Sequence, residues 1–256
     1  EQGTDCSPVN LEAGLEVFLR FDGDCLDSSP YLRNGVGTEI TYTRDPAGLE
    51  GSAASFDGQQ GYISLDAVPI PTNNAFSWSI WIRCDALADQ DVAVLERIQN
   101  IGNNLMSPSL WIRSNGAIGF GSYSFASGGT SVETASASMT AGVWSHIACT
   151  SELSGRRRVY INGVLAGEGM SQDYGWPGPL VVLGRDRLDY GGRFRGAMDA
   201  LRIYSRPLSS SEVDALFHLG AAADCNNDNI ADYQQILAGE LADTNTNGIP
   251  DCCEQG

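Results

Sequence analysis

Lysine is absent from this chain. All 15 basic residues are arginine, against 32 acidic ones, and the net charge is −17. That balance repels phosphate backbones and anionic lipid, which argues against nucleic acid and membrane surfaces as partners, and it suits divalent cations. Histidine is scarce too: the two present, His146 and His218, are far apart in the chain. Neither a zinc pattern nor a Ser/His/Asp set can be assembled from them, and there is no GxSxG elbow. Apolar runs are short; the stretch Pro179 to Leu183 falls far below the roughly 20 residues that span a bilayer, so no membrane insertion is expected. No signal peptide is visible and the sequence opens at Glu1, which reads as a mature, processed form.

Cysteine, by contrast, is plentiful. Seven residues without a CxxC spacing point to disulfides in an oxidising compartment, hence to a secreted or cell-surface protein. Cys84 and Cys149 each end an apolar strand pattern on its inward parity, so a Cys84–Cys149 bridge between neighbouring strands is expected. Cys225 and Cys252 bracket the C-terminal segment and form the second expected pair. Cys6, Cys25 and Cys253 stay unassigned, and the odd number leaves one thiol free or paired with another chain.

From residue 14 to residue 218 the chain is a series of short period-two patterns separated by Gly, Asn, Asp, Ser and Pro, as in an all-β sandwich or barrel. Phe76, Trp78, Ile80 and Ile82 alternate with Ser77, Ser79, Trp81 and Arg83. Asn162-Gly163, between two apolar triplets, predicts a two-residue hairpin turn with positive φ at both positions. One helix is predicted at PLSSSEVDALFHLG, with a serine cap ahead of Glu212 and an apolar face of Val213, Leu216 and Phe217. Two domains follow from this reading: a sandwich over residues 1–220 and a small appendage over 221–256.

The appendage, from Asp224 onward, carries acidic residues and asparagines but no basic residue. Two arrays repeat the pattern D-x-N-x-[DN]-[NG]-I-x-D. The first comprises Asp224, Asn226, Asp228, Ile230 (through its carbonyl) and Asp232, with Gln235 at the twelfth position. The second comprises Asp243, Asn245, Asn247, Ile249 (again a carbonyl) and Asp251, with Glu254 twelfth. Oxygen ligands at positions 1, 3, 5, 7, 9 and 12 are what wraps a calcium ion, and Gly248 suits the sharp turn at the sixth. Neutral Gln235 makes the first site the weaker one. The arrays resemble thrombospondin type-3 or dockerin-like repeats, with ADYQQILAGEL supplying the short helix between them. Calcium is the one cofactor expected.

Five segments of the main domain also occur in a familiar order: GLEVFLRFDGDCLDSS, GSAASFDGQQGYISL, FSWSIWIRC, VWSHIACTSELSGRRRVYINGVLAG and FRGAMDALRIYSRPLSSSEVDALF. Together, over roughly residues 11–220, they resemble the laminin-G-like, concanavalin-A-like jelly rolls. The resemblance implies a sandwich of two curved antiparallel sheets. It also places Asp22 and Asp27 where such domains often carry structural calcium. Asp199 shares the parity of Leu201 and Ile203, so its carboxylate is expected to point toward the core, held by calcium with Asp22 and Asp27 or by Arg202 or Arg20.

Function follows less directly, because this fold carries lectins, accessory domains, adhesion modules and some glycoside hydrolases. A hydrolase needs two carboxylates on one strand face. The nearest match, Glu212-Val213-Asp214, sits on the predicted helix, so the chain is not expected to be an enzyme. Three Gly-rich loops combine aromatic and polar residues as saccharide surfaces do: Tyr123 with Phe125, Tyr174 with Trp176, and Asp186 with Tyr190 and Arg193; outward Trp81 could add to them. Two roles result. One is a non-catalytic extracellular recognition or adhesion module for a glycan or an extracellular protein; the other is a structural subunit that assembles with copies of itself into a fibre or sheath.

Overall fold

The computed structural model describes residues 10–66, 68, 75–98, 105–124, 128–171, 180–185, 192–220 and 241–242. Its strands, in chain order, are β1 (Leu15–Leu19), β2 (Val36–Thr38), β3 (Thr41–Thr43), β4 (Ala53–Asp57), β5 (Tyr62–Leu65), β6 (Phe76–Cys84), β7 (Val92–Ile98) and β8 (Leu105–Ile112). They continue with β9 (Ile118–Ser124), β10 (Gly128–Glu133), β11 (Ser145–Ser151), β12 (Arg156–Ile161), β13 (Val164–Met170), β14 (Leu180–Leu183) and β15 (Arg195–Tyr204), and one helix, α1 (Ser210–Gly220), follows. The strands form two antiparallel sheets, as the sequence predicts. One has the order β13-β12-β11-β6-β15-β4-β3, with β1 also paired to β15; the other has the order β10-β9-β8-β7-β14-β5-β2.

The core lies between the sheets and follows the period-two patterns. Phe76, Trp78, Ile80 and Ile82 of β6 face inward, and Phe120 of β9 meets Phe76 and Trp78 edge-on across the gap, at centroid separations of 5.9 and 5.5 Å. Two arginines also stand in this interior, which the patterning did not foresee. Arg157 lies over the Phe120 ring at 5.0 Å and its Nη1 donates to Ser171 Oγ; Arg97 Nη2 donates to the Val68 carbonyl at 2.6 Å. Burial lowers their pKa values to about 10 and about 9.

Local chemistry explains the turn and the helix. Asn162 and Gly163 have φ of 50° and 77°, the left-handed pair a two-residue hairpin requires. At the start of α1, Ser209 N–H donates to Glu212 Oε2 while Glu212 N–H donates to Ser209 Oγ, a reciprocal cap. Val213 and Leu216 then pack on the outer face of the larger sheet with Tyr160, Ala148 and Tyr204. Phe217 stacks on Trp81 at 5.7 Å. Trp81 therefore does not present itself to a ligand: the helix covers it.

The expected Cys84–Cys149 bridge does not form, and the register shows why. Both residues face inward on adjacent strands, but Cys149 is opposite Trp78, six residues along β6 from Cys84. At about 3.3 Å per residue that is roughly 20 Å, far beyond disulfide reach. Both are buried free thiols, as is Cys25. Cys225 and Cys252 lie outside the described residues.

Candidate functional site

A break in the larger sheet gathers acidic side chains. Along one edge β15 pairs first with β4 (Met198 opposite Ala54) and then with β1 (Leu201 opposite Leu19). At the changeover its register shifts between Asp199 and Arg202, and Ala200 takes a positive φ of 48°. A bulge of this kind flips parity. Met198 and Leu201 both point into the core, whereas Asp199 is paired with Trp81 and shares the outer face with Arg202. The sequence-based expectation that Asp199 points toward the core is thus reversed.

Asp199 is nevertheless largely buried. Its Oδ1 accepts a hydrogen bond from the Ala200 amide at 2.7 Å. Burial, followed by the neighbouring charges of Asp45 and Asp22, pushes its pKa up to about 8. Asp45 is raised as well, again by burial first, and Asp22 adds to it; the Leu49 amide donates to Asp45 Oδ1. Arg202, one expected partner of Asp199, instead stacks on Phe18 at 3.8 Å, and Arg20 pairs with Asp22.

Asp27 does not join this group. Phe18 and Ser29 amides donate to its Oδ1, and the Ser29 hydroxyl and the Arg33 amide donate to its Oδ2, at 2.7–2.9 Å. Four donors occupy both oxygens, so Asp27 organises its loop. Among the described residues no three His, Cys, Asp or Glu side chains form a ready metal-binding group. The charges of Asp45 and Asp22 act on Asp199, although Asp22 is itself paired with Arg20.

A second feature is a cleft at one end of the sandwich, enclosing about 320 Å³ including its part open to solvent. Buried Cys84 forms its floor, Leu87, Val92, Ile112 and Phe194 its apolar walls, and Arg113, Arg193 and Arg195 its polar lining. Backbone pairing sets the arginines. Gly192 N–H donates to Asp91 O and Phe194 N–H to Gly184 O, each at 2.9 Å, so Arg193 is held on both sides. Arg113 is clamped by Asp91 (2.5 Å) and Glu133. Of the loop residues singled out from sequence, Arg193 lines this cleft. Tyr174, Trp176 and Tyr190 lie outside the described residues, as does the side chain of Tyr123. The tail residues, Asp224 to Glu254, lie outside them too.

Neither face shows a catalytic carboxylate pair among the described residues. Glu212 caps α1 and forms a two-pronged ion pair with Arg206; Asp214 is exposed on the same helix. Glu96, which sequence reasoning missed, is buried on the outer side of the smaller sheet, opposite Ser109 and Val182 on adjacent strands, neither of them acidic. Ser79 Oγ and His146 Nε2 share a 2.8 Å hydrogen bond, yet both are buried, Phe217 of α1 lies against the imidazole at 6.1 Å, and Nδ1 has no partner. That pair lacks both an orienting acid and access.

The chain belongs to the concanavalin A-like lectin/glucanases superfamily, in its laminin-G branch, with residues 57–214 matching the family. No curated protein matches the sequence. Among solved structures it is similar to domain 4 of AbnA, a GH43 extracellular arabinanase from Geobacillus stearothermophilus in complex with arabinotriose. There the TM-score is 0.64 and identity 24%, over 80% of this chain and 98% of that one. It is also similar to the binding domain of botulinum neurotoxin serotype D, with a TM-score of 0.65 and 16% identity over 81% of this chain. The receptor binding domain of the C/D mosaic neurotoxin gives a TM-score of 0.64 and 15% identity. The chain spans about half the length of those two toxin domains, 52% and 51%.

Proposed function

We propose that this chain is a secreted, non-catalytic binding module that takes a glycan at the end cleft and is stabilised by calcium. The cleft carries the reading: exposed Leu87, for the CH face of a sugar, stands beside the arginines of the lining, whose N–H groups suit its oxygens. The AbnA domain was solved with arabinotriose and the toxin domains are named for receptor binding, which agrees with a recognition role. Calcium would be held by Asp199 with Asp45 and Asp22, and by the two arrays of the tail.

Affinity electrophoresis and calorimetry against a panel of neutral and acidic polysaccharides, with calcium present, test the reading. Retardation by at least one polysaccharide, abolished in an Arg193→Ala/Arg195→Ala variant and unaccompanied by release of reducing ends, is expected. No retardation by any member of the panel overturns the glycan reading, and turnover overturns the non-catalytic one.

A further inference from the structure

Helix α1 covers a stretch of the larger sheet that is polar as well as apolar. Val213 and Leu216 meet Ala148, Tyr160 and Tyr204, but toward its C-terminal end the helix lies over His146. That imidazole is 1% exposed; its Nε2 is joined to Ser79 Oγ at 2.8 Å and its Nδ1 has no partner. Phe217 lies against it and stacks on the neighbouring Trp81, whose Nε1 also has no partner. Tyr204 Oη, in the same cluster as Val213 and Leu216, is a third buried polar atom left alone. Docking the helix strips water from these groups without replacing it, which weakens its hold. The N-terminal end is fastened differently. Glu212 takes both prongs of Arg206 and closes the cap with Ser209. Burial raises the Glu212 carboxyl, but Arg206 and the Ser209 donors outweigh it and hold it below the usual range.

We infer that α1 is an acid-sensitive latch: when His146 takes a proton, the end of the helix around Phe217 lifts from the sheet while the end around Glu212 stays pinned. The elements packed around the imidazole offer it no counter-ion. β6 supplies Ser79 and Trp81, and the β12–β13 turn supplies Asn162, whose Oδ1 accepts the His146 amide. β15 places Arg202, a like charge, opposite Ser79, and Asp199 one strand farther away, opposite Trp81. On α1, Asp214 and His218 are exposed and pair with each other at 3.5 Å. Burial first, then Arg202, therefore holds the docked imidazole neutral, with a pKa of about 3. Lifting returns it to water and to its ordinary value of 6.5, so the open form takes a proton that the closed form refuses. Opening is then favoured about tenfold more for each pH unit below 6.5. A single helical turn without packing does not persist in water, so lifting means unwinding. It uncovers Trp81 and frees the end from which the chain runs on to residues 221–256.

Hydrogen exchange of the full chain in calcium buffer, read by mass spectrometry at pH 7.5 and 5 and corrected for intrinsic rates, tests this. Amides of residues 215–220 are expected to lose about 30-fold of their protection over that interval. They should stay less protected than β6 and β11 and respond weakly to low urea, because little surface opens with them. His146→Gln should abolish the fall, whereas His218→Gln, which removes the exposed histidine, should leave it whole. Phe217→Ala should lower the protection of this segment already at pH 7.5. Protection and urea dependence equal to those of β6 and β11 would mean that α1 leaves only when the whole sandwich unfolds, and would overturn the latch. A fall that survives His146→Gln, or vanishes in His218→Gln, overturns the trigger. Unchanged protection in Phe217→Ala overturns the contact assigned to hold the helix down.

Discussion

Acid should weaken this protein through a single histidine. His146 is fully enclosed between the larger sheet and α1, sharing a hydrogen bond with Ser79, beside Trp81 and under Phe217, with no acceptor at Nδ1. Burial, with the charge of Arg202 added, lowers its pKa from 6.5 to about 3. Because the folded-state value lies below the unfolded one, the folded chain binds fewer protons between them. Stability is therefore complete above about pH 6.5 and drains as pH falls toward 3. At pH 5 the gap to 6.5 is one and a half units, and at about 1.4 kcal/mol each the loss is about 2 kcal/mol. A His146→Gln variant keeps a polar partner for Ser79 but cannot titrate. Its own packing loss shifts stability by the same amount at every pH, so the slope isolates the ionisation. Urea unfolding followed by tryptophan fluorescence at pH 7.5, 6 and 5 reads both proteins. The variant's stability should fall about 2 kcal/mol less than that of the parent over this interval. Parallel curves would refute the claim that His146 is buried in its neutral form.

Three further outcomes follow from other parts of the molecule. Asp199→Asn should remove most of the calcium-dependent rise in melting temperature; equal destabilisation with and without calcium would show that Arg202, not a cation, balances Asp199. Gly196→Ala should cost about 2–4 kcal/mol in denaturant titration, because φ is +148° and an added Cβ would run into the Arg83 carbonyl oxygen of the neighbouring strand; a change below about 1 kcal/mol would mean that the β6–β15 contact can relax. Chelation should open residues 224–256 to protease while the sandwich stays intact, since the tail has too few apolar residues to fold without ions; identical digestion with and without calcium, disulfides reduced, would count against the two arrays.

What sequence alone determined here is whatever depends on near neighbours in the chain. Alternation along β6 reads directly as an inward and an outward face, because side-chain direction in a strand has period two. Asn162-Gly163 is a turn because few residue pairs tolerate two positive φ values, and Ser209 with Glu212 is a cap because their spacing closes two hydrogen bonds. Everything that depended on register was decided by the tertiary structure. Cys84 and Cys149 have matching parity, but parity carries no information on where along paired strands two residues meet. Asp199 was assigned to the wrong face because one extra residue at Ala200 resets the alternation, and that bulge exists where β15 changes partner from β4 to β1. Asp27 is a hub for four donors, three of them backbone amides that only the folded loop turns inward. The arginine cleft joins β8, the strand entry to β15 and the loop after β6, segments far apart in sequence, and packing alone brings Arg113, Arg193 and Arg195 to one wall.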